Sequence, residues 1–193
     1  MEFSDEKVLA ALQNGSKAAF EMLFKTYYRP LCTYANTFLH DRDEAEEIVQ
    51  NAFITFWDRR QSTEIEKSVK AYLYRMVRNS CLNTLRHEKV KREHASEQLK
   101  TTVDAHDPVS QSLASDELEQ RIQTAMQSLP EQCRLVFQLS RFEELKYQEI
   151  AGQLNISVKT VENHMGKALK IMREQLKDYL PLFLLLVTDS IIL

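Results

Sequence analysis

The sequence predicts an all-α protein, built as two small helical domains joined by a flexible linker. Three observations carry that prediction. Apolar residues recur along the chain at helical spacing, and no long stretch alternates apolar with polar residues as a half-buried strand would. Only 3 glycines and 4 prolines in 193 residues leave little material for the many turns of a β-fold. Finally, residues 93–115, EHASEQLKTTVDAHDPVSQSLAS, are polar, acidic and almost free of large apolar side chains. Burial there cannot offset the entropy of ordering the chain, so the segment reads as a tether. The expected division is 1–92 and 116–179 for the domains, 93–115 for the linker and 180–193 for an apolar tail.

Ser4 to Asn14 reads as a short helix capped by Ser4 or Asp5. Ala18 to Leu39 is a longer amphipathic segment rich in aromatic residues (Phe20, Phe24, Tyr27, Tyr28, Tyr34 and Phe38), with a bend expected near Pro30. Asp43 to Trp57 has the cleanest pattern: Ala45, Ile48, Val49, Ala52, Phe53 and Phe56 face inward, while Glu46, Glu47, Gln50 and Asn51 face out. After the polar loop 58–67, Val69 to about Arg92 is helical again, with Val69, Tyr72, Leu73, Met76 and Val77 inward. The second helical domain is interrupted at Ser128–Pro130.

Within it, Lys146 to Arg173 reads as two helices joined by a tight turn. Tyr147, Ile150, Ala151 and Leu154 form one apolar stripe, and Asn155 suits the left-handed position that ends a helix. Ser157 suits the N-cap of the next helix, whose own stripe is Val158, Val161, Met165, Ala168 and Met172. That leaves Thr160, Asn163, His164 and Lys167 facing outward, the arrangement a helix-turn-helix inserts into a DNA major groove.

The net charge of −3 hides a strong segregation. Residues 41–66 hold eight acids against three bases, a net of −5, whereas 67–92 hold eight bases against one acid, a net of +7. Adjacent blocks of opposite sign suit two partners of opposite charge. The basic block carries an outward stripe of Lys70, Tyr74, Arg75, Arg78, Asn79, Asn83 and Arg86. Cations for phosphate, amides for base edges and a ring for stacking fit a DNA strand.

Several classes are excluded. Cys32, Cys81 and Cys133 are odd in number and widely spaced, which argues for buried thiols in a reducing cytoplasm rather than disulfides or zinc. The N-terminus lacks the basic and apolar regions of a secretory signal. The apolar run Leu182–Val187 is too short to span a bilayer, and Asp189 interrupts the apolar residues beyond it. No Gly-rich phosphate loop, metal spacing or nucleophile–base pair is present, and the five histidines are scattered. No enzyme activity, metal, cofactor, small-molecule substrate or stable membrane insertion is expected.

The run DRDEAEEIVQNAFITFW followed by SVKAYLYRMVRNSCLNTLR resembles region 2 of bacterial sigma-70 family sigma factors. LPEQCRLVFQLSRFEELKYQEIAGQLNISVKTVENHMGKALK is similar to their region 4. Two such regions on a short linker match the extracytoplasmic-function (ECF) group. The resemblance implies a dissociable, cytoplasmic subunit that binds core RNA polymerase, directs it to the −10 and −35 elements of promoter DNA and assists melting. It implies that Glu47, Gln50, Asn51, Phe53 and Trp57 meet polymerase, and that the basic-helix stripe handles the −10 element. Lys159, Thr160, Glu162, Asn163, His164 and Lys167 would read the −35 element. Where Glu162 and His164 stand, many sigma factors carry arginine, so the −35 sequence does not transfer. Leu129, Leu135, Val136 and Leu139 resemble the surface that holds the polymerase flap tip, with some of them in the core. The tail would pack on region 4 or be covered by a partner such as an anti-sigma factor. The alternative reading is a conventional helix-turn-helix transcriptional regulator with an N-terminal sensor or dimerisation domain, binding its operator without polymerase.

Overall fold

The computed structural model describes residues 5–65, 67–95 and 115–177. Eight α-helices and no strands are present among them: α1 (Asp5–Gln13), α2 (Lys17–Leu39), α3 (Arg42–Asp58), α4 (Val69–Ala95), α5 (Ser115–Ser128), α6 (Glu131–Arg141), α7 (Tyr147–Leu154) and α8 (Val158–Gln175). The chain divides into two compact units, α1–α4 and α5–α8. Ser4, most of the expected linker and the apolar tail lie outside the described residues.

In the first unit α2, α3 and α4 pack against one another in all three pairs, and α1 lies on α2. Local signals fix the helix ends. Gly15 takes φ +79, where a side chain would be strained, and Ser16 then caps α2 by accepting from the Ala19 N–H at 3.3 Å. His40, at φ 56, ends α2 with its N–H on the Asn36 carbonyl. Asp41 caps α3 through the Glu44 N–H at 3.0 Å, and Asp43 and Glu44 add carboxylates where the helix dipole favours them. Helix α2 runs through Pro30 as a single element, so the expected bend does not divide it.

The core of this unit is aromatic where α2 meets α3. Phe53 is 2% exposed, edge-on to Phe20 with ring centres 6.0 Å apart, and its centre lies 5.0 Å from that of Phe24. The expected inward stripe of α3 is buried at all six positions. On α4 the buried arc is wider than the sequence pattern implied. Val69, Leu73 and Val77 are inside as expected, and Ala71, Tyr74, Arg78 and Cys81 join them. A helix wedged between two neighbours buries two faces, and the stripe pattern revealed only one.

The second unit is organised around α8, which contacts α5, α6 and α7. Val161, Met165, Ala168 and Met172 of α8 are buried with Ile150 and Ala151 of α7 and Val136 and Leu139 of α6. Val158, expected in the α8 stripe, is 38% exposed, because it stands in the first turn before the helix enters the core. The predicted break at Ser128–Pro130 separates α5 from α6.

Candidate nucleic-acid interface

Helices α7 and α8 are joined by three residues, 155–157. Asn155 takes φ 53, and Ile156 donates back to the Ala151 carbonyl at 3.0 Å, closing the end of α7. Ser157 Oγ accepts from the Thr160 N–H at 3.0 Å and starts α8. Both caps lie where the sequence placed them. With Val161 and Met165 locked in the core, the opposite face of α8 is fixed: Lys159, Glu162, Asn163 and Lys167 are exposed, and Thr160 and His164 are half-buried at its margins.

This face is ordered before any partner arrives. Lys159 Nζ donates to Glu162 Oε2 at 3.0 Å, an exposed pair. Such pairs are worth about 0–1 kcal/mol, so either partner is easily released to another contact. The Thr160 hydroxyl lies 2.8 Å from Ser157 Oγ and so belongs to the cap as well as to the surface. His164 Nδ1 lies 3.6 Å from the buried Cys133 Sγ.

On α4 the structure divides the predicted stripe. Arg75, Asn79, Asn83 and Arg86 are exposed and share one face, where Arg86 Nη1 donates to Asn83 Oδ1 at 3.2 Å. Lys70 is partly covered. Tyr74 and Arg78, expected outside, are only 4% and 5% exposed. The Tyr74 ring stands edge-on to Tyr34 of α2, centres 4.9 Å apart, so it is not a platform for a base. Tyr and Arg combine apolar bodies with polar tips, and that duality made the wrong face look suitable.

On α3, Glu47, Gln50 and Asn51 are exposed as expected, and Gln50 Nε2 donates to the Tyr28 hydroxyl at 3.2 Å. Phe53 is a core residue, as its place in the inward stripe requires, and its ring fills the boundary between α2 and α3, so it does not itself present a surface to polymerase. Trp57 is partly covered: Phe20 packs at 5.0 Å, and the Arg60 guanidinium lies over the ring at 4.3 Å. Sequence reasoning missed Ile54, which is 58% exposed between Asn51 and Asp58 on the outward face. Its signal was its place off the buried stripe of a well-patterned helix, although a single exposed apolar side chain is in itself ordinary. In the second unit Leu129, Val136 and Leu139 are buried at 2%, 0% and 0%, and Leu135 is partly covered. The first three are core, not docking surface.

Each unit also matches a known family region. The Sigma-70 region 2 family model matches residues 23–90, and the Sigma-70, region 4 model matches residues 119–172. The chain belongs to the sigma-70 family. Its relatives place it in the ECF group. The RNA polymerase sigma-H factor of Pseudomonas aeruginosa is 25% identical over 91% of this chain and 95% of its own length. The ECF RNA polymerase sigma factor SigW of Bacillus subtilis is 27% identical over 92% of this chain and all of its own length. Two solved structures share the fold. CnrH, solved with the cytosolic domain of CnrY, aligns with TM-score 0.52 at 20% identity, covering 90% of this chain and 97% of CnrH. The sigma factor RpoE of Bartonella quintana, solved with the anti-sigma factor NepR, aligns with TM-score 0.54 at 21% identity, covering 82% of this chain and 96% of RpoE. The α1–α4 unit of this sigma factor thus contains region 2, and the α5–α8 unit contains region 4 with its helix-turn-helix. No helix of the described residues is long and apolar enough to cross a membrane.

Proposed function

We propose that this sigma factor joins core RNA polymerase, carries it to promoters through their −10 and −35 elements and assists opening of the duplex. The observation that carries the reading is the separation of surfaces. An acidic outward face on α3 and a basic outward face on α4 share one small unit, while α8 offers a separate hydrogen-bonding face in the other. Carboxylates on α3 repel phosphate but pair with cations of a protein partner, so that face suits polymerase. Glu47, Gln50, Asn51 and the exposed Ile54 form the contact, with Trp57 at its edge and Phe53 supporting it from inside. On α4, Arg75 and Arg86 hold phosphates of the −10 strand, with Lys70 beside them, and Asn79 and Asn83 reach base edges. Tyr74 and Arg78 hold that helix in place. On α8, Asn163, His164 and Glu162 read −35 bases, while Lys159 and Lys167 anchor phosphates and Thr160 secures the helix start.

The domains run over 1–92 and 116–179, joined by the segment 93–115, and each meets its own promoter element. The protein works in the cytoplasm beside the polymerase, performs no chemistry itself, and is a candidate for restraint by an anti-sigma factor. Run-off transcription with purified core enzyme tests this. Added protein should create promoter-dependent starts that core alone does not make. A protein that neither binds core nor alters start-site choice would overturn the proposal.

A further inference from the structure

His164 occupies an unusual place on α8. It stands half-buried between the exposed Asn163 and the buried Met165, with Nδ1 turned towards the protein. The inner edge has a specific neighbour. Cys133, in the first turn of α6, is 2% exposed and sets its Sγ 3.6 Å from His164 Nδ1, within hydrogen-bond reach for sulfur.

The tautomer of His164 sets the direction of that bond. When Nδ1 carries no proton it is a good acceptor, and the S–H donates to it. A neutral imidazole carries a single ring proton, and with Nδ1 accepting, that proton sits on Nε2. In that tautomer the outer edge of His164 is a donor. A doubly protonated ring also donates through Nε2, so both charge states present the same face. Only a neutral ring with its proton on Nδ1, donating to the sulfur, would offer an acceptor.

In the major groove a donor finds acceptors at guanine O6 and N7. Cytosine presents only its N4 donor, and adenine its N6 donor beside N7. Thymine offers one acceptor next to a methyl group, against the two of guanine. We infer that Cys133 is a positioning residue that holds His164 as an outward hydrogen-bond donor, so that the pair reads guanine at one position of the −35 element. This rests on the proposed role of α8 as the −35 reader.

Two measurements test the inference and keep it separate from that role. The first is ¹⁵N NMR of the His164 ring in the full-length protein, which distinguishes a protonated from an accepting ring nitrogen. Wild type should show Nε2 protonated and Nδ1 accepting, Cys133→Ala should show averaged tautomers, and Cys133→Ser, which keeps a donor, should restore the wild-type pattern. The second is promoter selection by holoenzyme on a template library randomised across the −35 element. Wild type should prefer guanine at one position, His164→Ala should lower that preference about tenfold, and Cys133→Ala should weaken it with serine rescue. A ring protonated on Nδ1, or a tautomer indifferent to Cys133→Ala, would overturn the positioning role. A −35 preference unchanged in His164→Ala would overturn the guanine assignment. A wild-type protein that supports no promoter-dependent transcription would overturn the −35 role itself, and the NMR outcome would still decide the Cys133–His164 bond.

Discussion

Replacing Tyr74 separates the sequence pattern from the packing. The pattern put this ring outside, on the stripe meant for DNA, whereas its burial and its edge-on contact with Tyr34 make it a wedge between α4 and α2. Truncating a fully buried aromatic side chain to alanine costs about 3–5 kcal/mol, because transfer free energy is lost and a cavity remains. The edge-to-face pair accounts for roughly 0.5–1.5 kcal/mol beyond area burial. Whole domains are stable by only about 5–15 kcal/mol, so Tyr74→Ala removes a large fraction of the stability of the first unit. For a domain of this size each kcal/mol shifts the melting temperature by roughly 4–8 °C, which puts the expected fall at about 12 °C or more. Urea unfolding followed by circular dichroism should show the lower midpoint with little change in slope. The comparison is Arg75→Ala, one residue along the same helix but exposed, which should stay within about 0.5 kcal/mol of wild type and still impair promoter opening. If Tyr74→Ala kept wild-type stability while abolishing opening, the ring would be a DNA contact and the packing argument would be wrong.

Ile54→Asp should weaken core-polymerase binding at least tenfold in a fluorescence titration with the melting temperature unchanged, because a desolvated apolar anchor near an interface centre carries about 2 kcal/mol or more; a large fall in stability would refute the surface role. Asn163→Ala should cost roughly 1–3 kcal/mol at one −35 base pair, and an equal loss on every promoter would argue against base reading there. Lys167→Ala should weaken binding across sequences and reduce the slope of log K against log salt by about 0.9, and an unchanged slope would remove it from the phosphate contacts. Burial pushes the Cys81 thiol up to about 12 from an ordinary value of 9.0, so the folded state keeps a proton that the unfolded chain releases. Its contribution is complete below about pH 9 and is lost as pH rises towards 12, so Cys81→Ala should flatten the fall of first-unit stability across that window.

The features legible in the sequence were those set by local chemistry. Asn155 in the left-handed region and Ser157 on the Thr160 N–H act over three or four residues, and a sequence displays that range directly. The α3 stripe was equally clear, because its buried positions are strictly apolar and its exposed ones mostly polar. Legibility failed on α4, where the number of neighbours, not the residue types, decides how much of the helix is covered. Val69, Leu73 and Val77 announce one buried face, but nothing local says that Ala71, Tyr74 and Arg78 join the expected buried thiol Cys81 in a second.

The same logic explains why the binding faces came out unequally. On α8 four buried positions fixed Thr160, Asn163, His164 and Lys167 on the outside, the resemblance added Lys159 and Glu162, and all six are exposed or half-buried. On α4 the misplaced candidates were Tyr74 and Arg78, each chosen because its chemistry suits a partner, whereas Phe53 of α3 carried both an inward position and a polymerase contact implied by the resemblance, and it lies inward. Aromatic rings and guanidinium groups, however, are used as readily to fill a crowded boundary as to meet a ligand. Ile54 errs in the opposite sense: its chemistry suits a core, yet its position on the helix forbids one. Angular position relative to the packed neighbours therefore outranks residue type in assigning a surface role. By that criterion the patch of α3 proposed to meet polymerase gains an isoleucine and loses a phenylalanine, and the patch of α4 proposed to meet DNA comprises Arg75, Asn79, Asn83 and Arg86.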